Sequence, residues 1–184
     1  MILASPIETP QLLLKTIEPS DVGSRYLAWL SDPEITRFLE VRFTPVRSIS
    51  DIASFVQSVN ASAHSLLLGI FLKEERRHIG NIKLGPVQVD HRRAELGFLI
   101  GEKDCWGQGY MSQAIAALSR YGFDRLELEK ITSGCYESNV GCAKALLRAG
   151  FMQEARIPSH VLFEGRRVAS LLFGLDRPAA SPTI

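Results

Sequence analysis

The chain has 184 residues, of which 46% are apolar and 22% are charged, as is typical of one globular domain with a substantial core. Its 21 Lys and Arg residues nearly balance its 20 Asp and Glu residues, which leaves a net charge of +1 at neutral pH. Bulk electrostatics therefore give no reason to expect a nucleic-acid or a membrane partner.

No apolar run approaches the roughly 20 residues that span a bilayer, and the opening MILASPIETP lacks the basic and apolar segments of a signal peptide. We therefore expect a cytoplasmic protein. Cys105, Cys135 and Cys142 form no CxxC pair, so free thiols are expected rather than disulfides or a zinc site. The four histidines show no metal-ligand spacing, and no metal is expected.

The first half of the chain predicts a strand, two helices and a block of three antiparallel strands. Ser20 and Ser50 can each cap a helix in which apolar residues recur at helical spacing. The charged links EERR and VDHRR indicate hairpin turns between the later strands. The expected strands are 11–17, 65–73, 77–87 and 93–101, and residues 33–39 add a further helical turn or two to the first helix.

From about Gly109 the pattern changes to alternating helices and strands. The expected elements are a helix over 109–123, a strand over 130–136, a helix from Ser138 or Asn139 to Gly150, and two closing strands. This order predicts a mixed α/β (α+β) fold, with a mostly antiparallel sheet of about seven strands and about four flanking helices. We expect one domain over 1–176 and a flexible tail over 177–184.

The stretch DCWGQGYMSQA places Gly107 and Gly109 directly before a helix. Backbone N–H groups there have no intrahelical acceptors, and the helix dipole adds positive charge, so the turn can bind an anion. Glycine lets the backbone approach a phosphate closely, and Ser112 can add a hydroxyl. The pattern is neither a Walker A loop nor a Rossmann motif, and a plain glycine turn without a ligand is the alternative.

A second strand-to-helix junction follows in ESNVGCAKALLRAGF. Asn139 lies at the N-terminus of that helix, with Ala143 and Lys144 about one turn later. Two such junctions in succession can bracket one elongated ligand with an anionic end. The alternative for Asn139 is a plain N-cap.

Four stretches, AELGFLIG, WGQGYMSQA, YESNVGCAKALLRAGF and the strands around EGRRV, together resemble the GNAT N-acetyltransferase superfamily, in particular the branch of the ribosomal-protein alanine N-acetyltransferases. With the opening TPQLLLK, the resemblance covers nearly the whole chain. It implies a GNAT-like fold, acetyl-CoA as co-substrate, and acetyl transfer to a primary amine by direct attack on the thioester. The acceptor would be a protein N-terminus, an amino sugar or another small amine, and the protein a monomer or a homodimer.

The resemblance also assigns residues to the cofactor. It places the pyrophosphate loop on 106–111, with the backbone N–H groups of 108–112 as donors, and the strand that pairs with pantetheine on 98–100. A second wall falls at the start of the following helix. The implied cofactor-binding residues are Phe98, Leu99, Ile100, Trp106, Gly107, Gln108, Gly109, Tyr110, Met111, Ser112, Asn139, Ala143 and Lys144.

The sequence departs from the general family pattern at three positions. Trp106 and Met111 differ from the commoner loop residues, but the branch tolerates both. Leu146 stands where some members carry a tyrosine that acts as general acid, so that acid is expected to be missing, with Tyr136 and Cys135 as nearby alternatives. The missing acid leaves open a second function, a non-catalytic acyl-CoA-binding sensor or interaction domain.

Glu95 is the candidate catalytic base, which would take a proton from the attacking amine. It lies among apolar residues, so burial is expected to raise its pKa; the alternative is a structural carboxylate paired with Arg92 or Arg93. A backbone N–H near Leu99 is expected to stabilise the oxyanion. The arginines proposed to meet an acidic acceptor, unless they only face solvent, are Arg42, Arg47, Arg166 and Arg167.

Overall fold

The computed structural model describes residues 1–179, which form one eight-stranded sheet, five helices and three short 3-10 turns. The strands are β1 (Ile7–Glu8), β2 (Leu12–Thr16), β3 (Leu66–Leu72), β4 (His78–Gln88), β5 (Arg93–Ile100), β6 (Lys130–Tyr136), β7 (Met152–Phe163) and β8 (Arg166–Asp176). The helices are α1 (Ser24–Ser31), α2 (Pro33–Thr36), α3 (Ile49–Ala61), α4 (Tyr110–Arg125) and α5 (Val140–Arg148).

The strand order is β1-β2-β3-β4-β5-β6-β8-β7, and every neighbouring pair is antiparallel except β5 and β6. The parallel pairing between β5 and β6 holds for three residue pairs only, from Arg93 with Lys130 to Glu95 with Thr132. Both strands continue well past that point, so they diverge. The sheet therefore has a V-shaped opening at its centre, between the C-terminal halves of β5 and β6.

Each face of the sheet carries its own apolar core. On one face, α4 and α5 pack Ile115, Leu118 and Leu146 against the even-numbered residues of β5. On the other face, α1 and α3 pack Trp29 and Val56 over the first strands. The strand β3 (LLLGIFL) lies between these two cores and is buried at every position, which explains its continuous apolar sequence.

The mixed fold expected from the sequence is confirmed, with one strand and one helix more than anticipated. The extra strand, β1, has only two residues. Two capping assignments were wrong. Ser20 lies in a 3-10 turn, and α1 starts only at Ser24. The side chain of Ser48, not that of Ser50, accepts the N–H of Asp51 at the start of α3, at 3.1 Å.

The tail expected over 177–184 starts directly after β8, and its residues 180–184 lie outside the described part of the chain. Within residues 1–179, none of the helices combines the length and apolar character that a bilayer crossing requires.

Candidate active site

The V-shaped opening exposes backbone groups of β5. The N–H of Gly101 donates to the carbonyl of Ile79 on β4, at 2.9 Å. Since backbone direction alternates along a strand, Leu99 also points its N–H and C=O toward β4, while Phe98 and Ile100 point theirs into the opening. The amide of Leu99 itself faces β4, so the oxyanion donor expected near Leu99 would have to be the amide of Phe98 or Ile100.

A serine marks the point where the strands diverge. The Ser133 hydroxyl of β6 donates to the carbonyl of Leu96 on β5 at 2.8 Å, and the bond is buried. A side chain thus satisfies the next carbonyl after the regular ladder ends at Glu95. This bond holds β5 and β6 together at the apex of the opening. No distinct sequence signal marks Ser133, because a small polar residue in a strand has many uses.

Two glycines form a floor beside the apex, on the face opposite to α4. Gly97 and Gly134 lie on that face of β5 and β6, and both are exposed. A Cβ atom built at Gly97 would meet no atom within 4 Å, so there is room above the strand. Glycine inside a strand often marks close approach by a ligand, and this was the sequence signal available for both residues.

The turn before α4 presents unpaired backbone amides. Gly107 has φ = 76° and Gly109 has φ = 82°, both in the left-handed region, and a Cβ at either would meet no atom within 4 Å. Within residues 1–179, no acceptor takes a hydrogen bond from the amides of 107–112, and α4 has no side-chain cap. We call these amides the amide cradle. Space, free donors and a helix dipole coincide there.

Side chains hold the loop before the amide cradle in place. The guanidinium of Arg77 binds the carboxylate of Asp104 at 2.8 Å, and this hydrogen bond lowers the pKa of Asp104. The indole N–H of Trp106 donates to the carbonyl of Ile100 at 2.9 Å. Trp106 therefore satisfies the last carbonyl of β5 through its indole nitrogen, and its ring remains partly exposed beside the cradle.

The start of α5 forms the other side of the opening. The side-chain oxygen of Asn139 accepts the N–H of Cys142 at 3.2 Å, so the N-cap alternative holds for that oxygen. The Asn139 Nδ2 atom donates to no other atom within residues 1–179, which leaves it able to bind a ligand carbonyl. Ala143 packs toward the core, and Lys144 is exposed.

Glu95 is exposed, so the expectation that it is buried was wrong. It shares its face of β5 with Gly97, whereas the buried Ala94 and Leu96 face the core under α4. The alternative pairing is also not observed, because Arg92 binds Glu129 and Arg93 binds a glutamine. Glu95 lies beside the glycine floor with no cationic partner among the described residues.

The position of the missing tyrosine is part of the core, since Leu146 is fully buried. Tyr136, one of the alternatives, ends β6 on the glycine-floor side. Its hydroxyl accepts from Arg42 at 2.6 Å and donates to Glu40 at 3.0 Å. Cys135 lies on the opposite face, buried in the core.

Residues 11–152 match the family model of the GNAT acetyltransferase domain. The chain belongs to the GNAT acetyltransferase family. It is 27% identical over 168 residues to the uncharacterized N-acetyltransferase p20 of Bacillus licheniformis, covering 91% of this chain and 93% of p20. Membership of this family makes the present protein an acetyltransferase, and the family implies that it uses acetyl-CoA.

Two solved structures show the same fold at low sequence identity. RimL, a ribosomal L7/L12 alpha-N-protein acetyltransferase in complex with coenzyme A, superposes with a TM-score of 0.83 at 17% identity, over 94% of this chain and 98% of RimL. The Vibrio cholerae spermidine N-acetyltransferase in complex with CoA and spermine gives a TM-score of 0.79 at 19% identity, over 91% and 96%. These neighbours have different acceptors, so the fold alone does not select one.

The structure brings most of the sequence-predicted residues together around the V-shaped opening. Residues 98–100 form one side, Asn139 at the start of α5 the other, and 106–112 the wide end, whereas Ala143 packs toward the core and Lys144 is exposed. Sequence reasoning missed Ser133, the two floor glycines and the bond between Arg42 and Tyr136. Within residues 1–179, no three metal-ligating side chains come together.

Proposed function

We propose that this GNAT enzyme transfers the acetyl group of acetyl-CoA to a primary amine that approaches the Gly97–Gly134 floor. The observation that carries the proposal is the continuity of three features: an unpaired amide cradle, an opening lined by free backbone groups, and an exposed glycine floor at its apex. An elongated ligand with an anionic end fits this arrangement.

The residues present fit acetyl-CoA. The amides of 108–112 and the dipole of α4 would hold the pyrophosphate, and Ser112 can add its hydroxyl. The free N–H and C=O of Phe98 would pair with the pantetheine arm in place of a strand. Nδ2 of Asn139 would bind the same arm from the other side, and the exposed side chain of Lys144 would contact a phosphate.

When bound, acetyl-CoA supplies an activated acetyl group that an amine can attack directly. The chain contributes position first, because fixing two reactants in contact can lower a barrier by several kcal/mol. The amide of Phe98 or Ile100 would donate to the oxygen that gains negative charge. The glycine floor leaves room for the amine, since neither Gly97 nor Gly134 has a side chain there.

Glu95 is proposed as the group that takes the proton from the amine. Glu95 is exposed next to the glycine floor, on the face from which the amine would arrive, and it would act directly or through one water. We expect Glu95→Gln to lower kcat by about 100-fold, within the usual contribution of a general base, and to change the pH–rate profile. An unchanged profile would remove Glu95 from this role.

The proposed acetyl transfer is tested by incubating the protein with acetyl-CoA and a panel of amines. The panel should contain peptides with free N-termini, amino sugars and polyamines, and free CoA thiol should be measured together with the mass of each amine. Acetylation of at least one amine supports the proposal. Stabilisation by acetyl-CoA without transfer to any amine would favour the sensor alternative, to which the buried Leu146 in place of an acid lends support.

A further inference from the structure

A cavity of about 490 Å³ lies next to the glycine-floor side of the sheet, between the segment around α2 and the β7–β8 hairpin tip. Its lining includes several apolar residues and two arginines. The residues that matter here are Leu30, Pro33, Arg37, Arg42, Val46 and Phe163. The amine acceptor proposed above requires a binding site on this face, and the cavity offers a concave surface for it.

Arg42 is a half-buried cation without a carboxylate partner in the described part of the chain. Its guanidinium stacks on the rings of Phe43 at 4.2 Å and Tyr136 at 4.9 Å. It donates to the Leu39 carbonyl at 3.2 Å and to the Tyr136 hydroxyl at 2.6 Å. Among residues 1–179, no carboxylate lies within 4 Å of it. A partly desolvated charge of this kind is stabilised when an anion pairs with it.

The other charges around the cavity are already engaged. Arg37 binds Glu164 at 2.9 Å, so its charge is neutralised within the chain. Glu40 accepts a hydrogen bond from the Tyr136 hydroxyl, which leaves the lone pairs of the hydroxyl oxygen to accept from Arg42. Glu40 and Tyr136 thereby orient the guanidinium. Glu40 keeps its negative charge but is not among the residues that line the cavity, so the unpaired charge in the lining is that of Arg42.

The position of Arg42 relative to the glycine floor sets the size of the acceptor. Tyr136 lies two residues beyond Gly134 on the same face of β6, which is roughly 7 Å along the strand. The guanidinium is bonded to the tip of that tyrosine, so an acid group bound to it would be roughly 10 Å from an amine at the floor. A free α-amino acid is too short to reach both positions.

We propose that the acceptor amine carries an anionic group, a carboxylate or a phosphate, that Arg42 binds in this cavity, with Tyr136 as the positioning residue for its guanidinium. This inference rests on the proposed acetyl transfer and narrows it to one acceptor class. Arginine suits the role because its planar fork binds both kinds of oxyanion in a bidentate manner.

The inference is tested with matched acceptors. The first pair is two short peptides with free N-termini that differ only in Asp or Asn at the third position. The second is a hexosamine and its phosphate ester, and spermidine serves as a cationic acceptor. We expect the acidic member of at least one pair to have a kcat/KM about 10- to 100-fold higher, mainly through KM. The peptide and sugar arms distinguish a carboxylate from a phosphate.

Variants of the protein show whether Arg42 is responsible for the preference for acidic acceptors. Arg42→Gln should remove the difference within a pair, Arg42→Lys should keep part of it, and Tyr136→Phe should weaken it by raising KM for the acidic member alone. Arg120→Gln, which alters a solvent-exposed arginine on α4, should leave the preference unchanged. Stabilisation of each variant by acetyl-CoA shows that it is folded and binds its co-substrate.

The possible outcomes distinguish failure of the anion site at Arg42 from failure of the proposed acetyl transfer. If amines are acetylated but acidic and neutral members react equally, or spermidine reacts best, the anion site is refuted and the acetyl transfer stands. If Arg42→Gln retains the wild-type preference, the anion binds elsewhere and the assignment is refuted. If no amine is acetylated, the proposed acetyl transfer fails, and the acceptor class fails with it.

Discussion

Replacing Gly109 with alanine tests the amide cradle with the smallest possible change. Gly109 precedes α4 with φ = 82° and ψ = 0°, and a Cβ there would meet no atom within 4 Å. The added methyl group therefore causes no collision in the folded protein. Its effect arises from the backbone, because an L-residue at this φ is strained and relaxes by turning the peptide units of the loop.

Two losses are expected in Gly109→Ala, one of folding stability and one of acetyl-CoA affinity. The left-handed conformation costs alanine about 1–2 kcal/mol relative to glycine, which lowers Tm by about 2–8 °C in a domain of this size. Turning the loop misdirects at least one amide of the cradle. A hydrogen bond to a charged group contributes about 1.5–3 kcal/mol, so the Kd for acetyl-CoA should rise by at least about 10-fold.

The assay pairs thermal denaturation with isothermal titration of acetyl-CoA. Gly150→Ala is the matched control, since Gly150 has φ = 93° and a built Cβ would make only an ordinary 3.8 Å contact with Leu175. Gly150 lies at the C-terminal end of α5, away from the amide cradle. We expect Gly150→Ala to lose similar stability and to bind acetyl-CoA with wild-type affinity.

Equal losses of stability with wild-type acetyl-CoA affinity in both variants would show that the backbone conformation of Gly109 does not orient the amides that bind acetyl-CoA. Gly109→Trp then decides whether the site is at this loop at all. Its side chain must occupy the open space in front of the cradle, and wild-type affinity in that variant would remove the loop as the pyrophosphate site.

Three further changes probe the framework around the site. Gly101→Ala should lower stability by about 2 kcal/mol, because a Cβ there would lie 2.0 Å from the Trp29 ring, and a chemical denaturation midpoint equal to that of the wild type would contradict this. Burial lowers the pKa of His78, so as the pH falls the histidine is protonated in the unfolded chain before it is protonated in the folded protein. The Tm should therefore decrease below about pH 6.5, and His78→Gln should make Tm less dependent on pH in that range. Ser133→Ala leaves the buried carbonyl of Leu96 without its partner and should cost about 1–3 kcal/mol of unfolding free energy, whereas an unchanged m-value and midpoint in urea would show that another donor replaces the hydroxyl.

The order of helices and strands could be predicted because each is marked by local chemistry. Apolar periodicity defined α3 and α4, and glycine at φ = 93° ended α5 as expected for a helix C-terminus. The two-residue β1 has no periodicity to detect. The choice of Ser48 over Ser50 as a cap depends on which of two similar side chains reaches an amide, which a pattern does not resolve.

The cofactor side of the site could be predicted better than the acceptor side. The amide cradle and the cap at Asn139 are each encoded within one short stretch. The cavity with Arg42 and Tyr136 depends on contacts between residues 94 positions apart, which no local pattern reveals. The error on Glu95 has a similar cause: its neighbours in sequence are apolar, but alternation along β5 turns them to the other face of the sheet.

Transfer of an isotopically labelled acetyl group shows whether this protein acetylates amines from acetyl-CoA bound at the amide cradle. The protein is incubated with labelled acetyl-CoA and the amine panel, and label in the amide of each acceptor is measured by mass spectrometry beside Gly109→Trp. We expect a labelled amide with the wild-type protein and a strongly reduced amount with Gly109→Trp. Wild-type protein that binds acetyl-CoA but labels no amine, or a variant that labels acceptors equally well, would contradict this expectation.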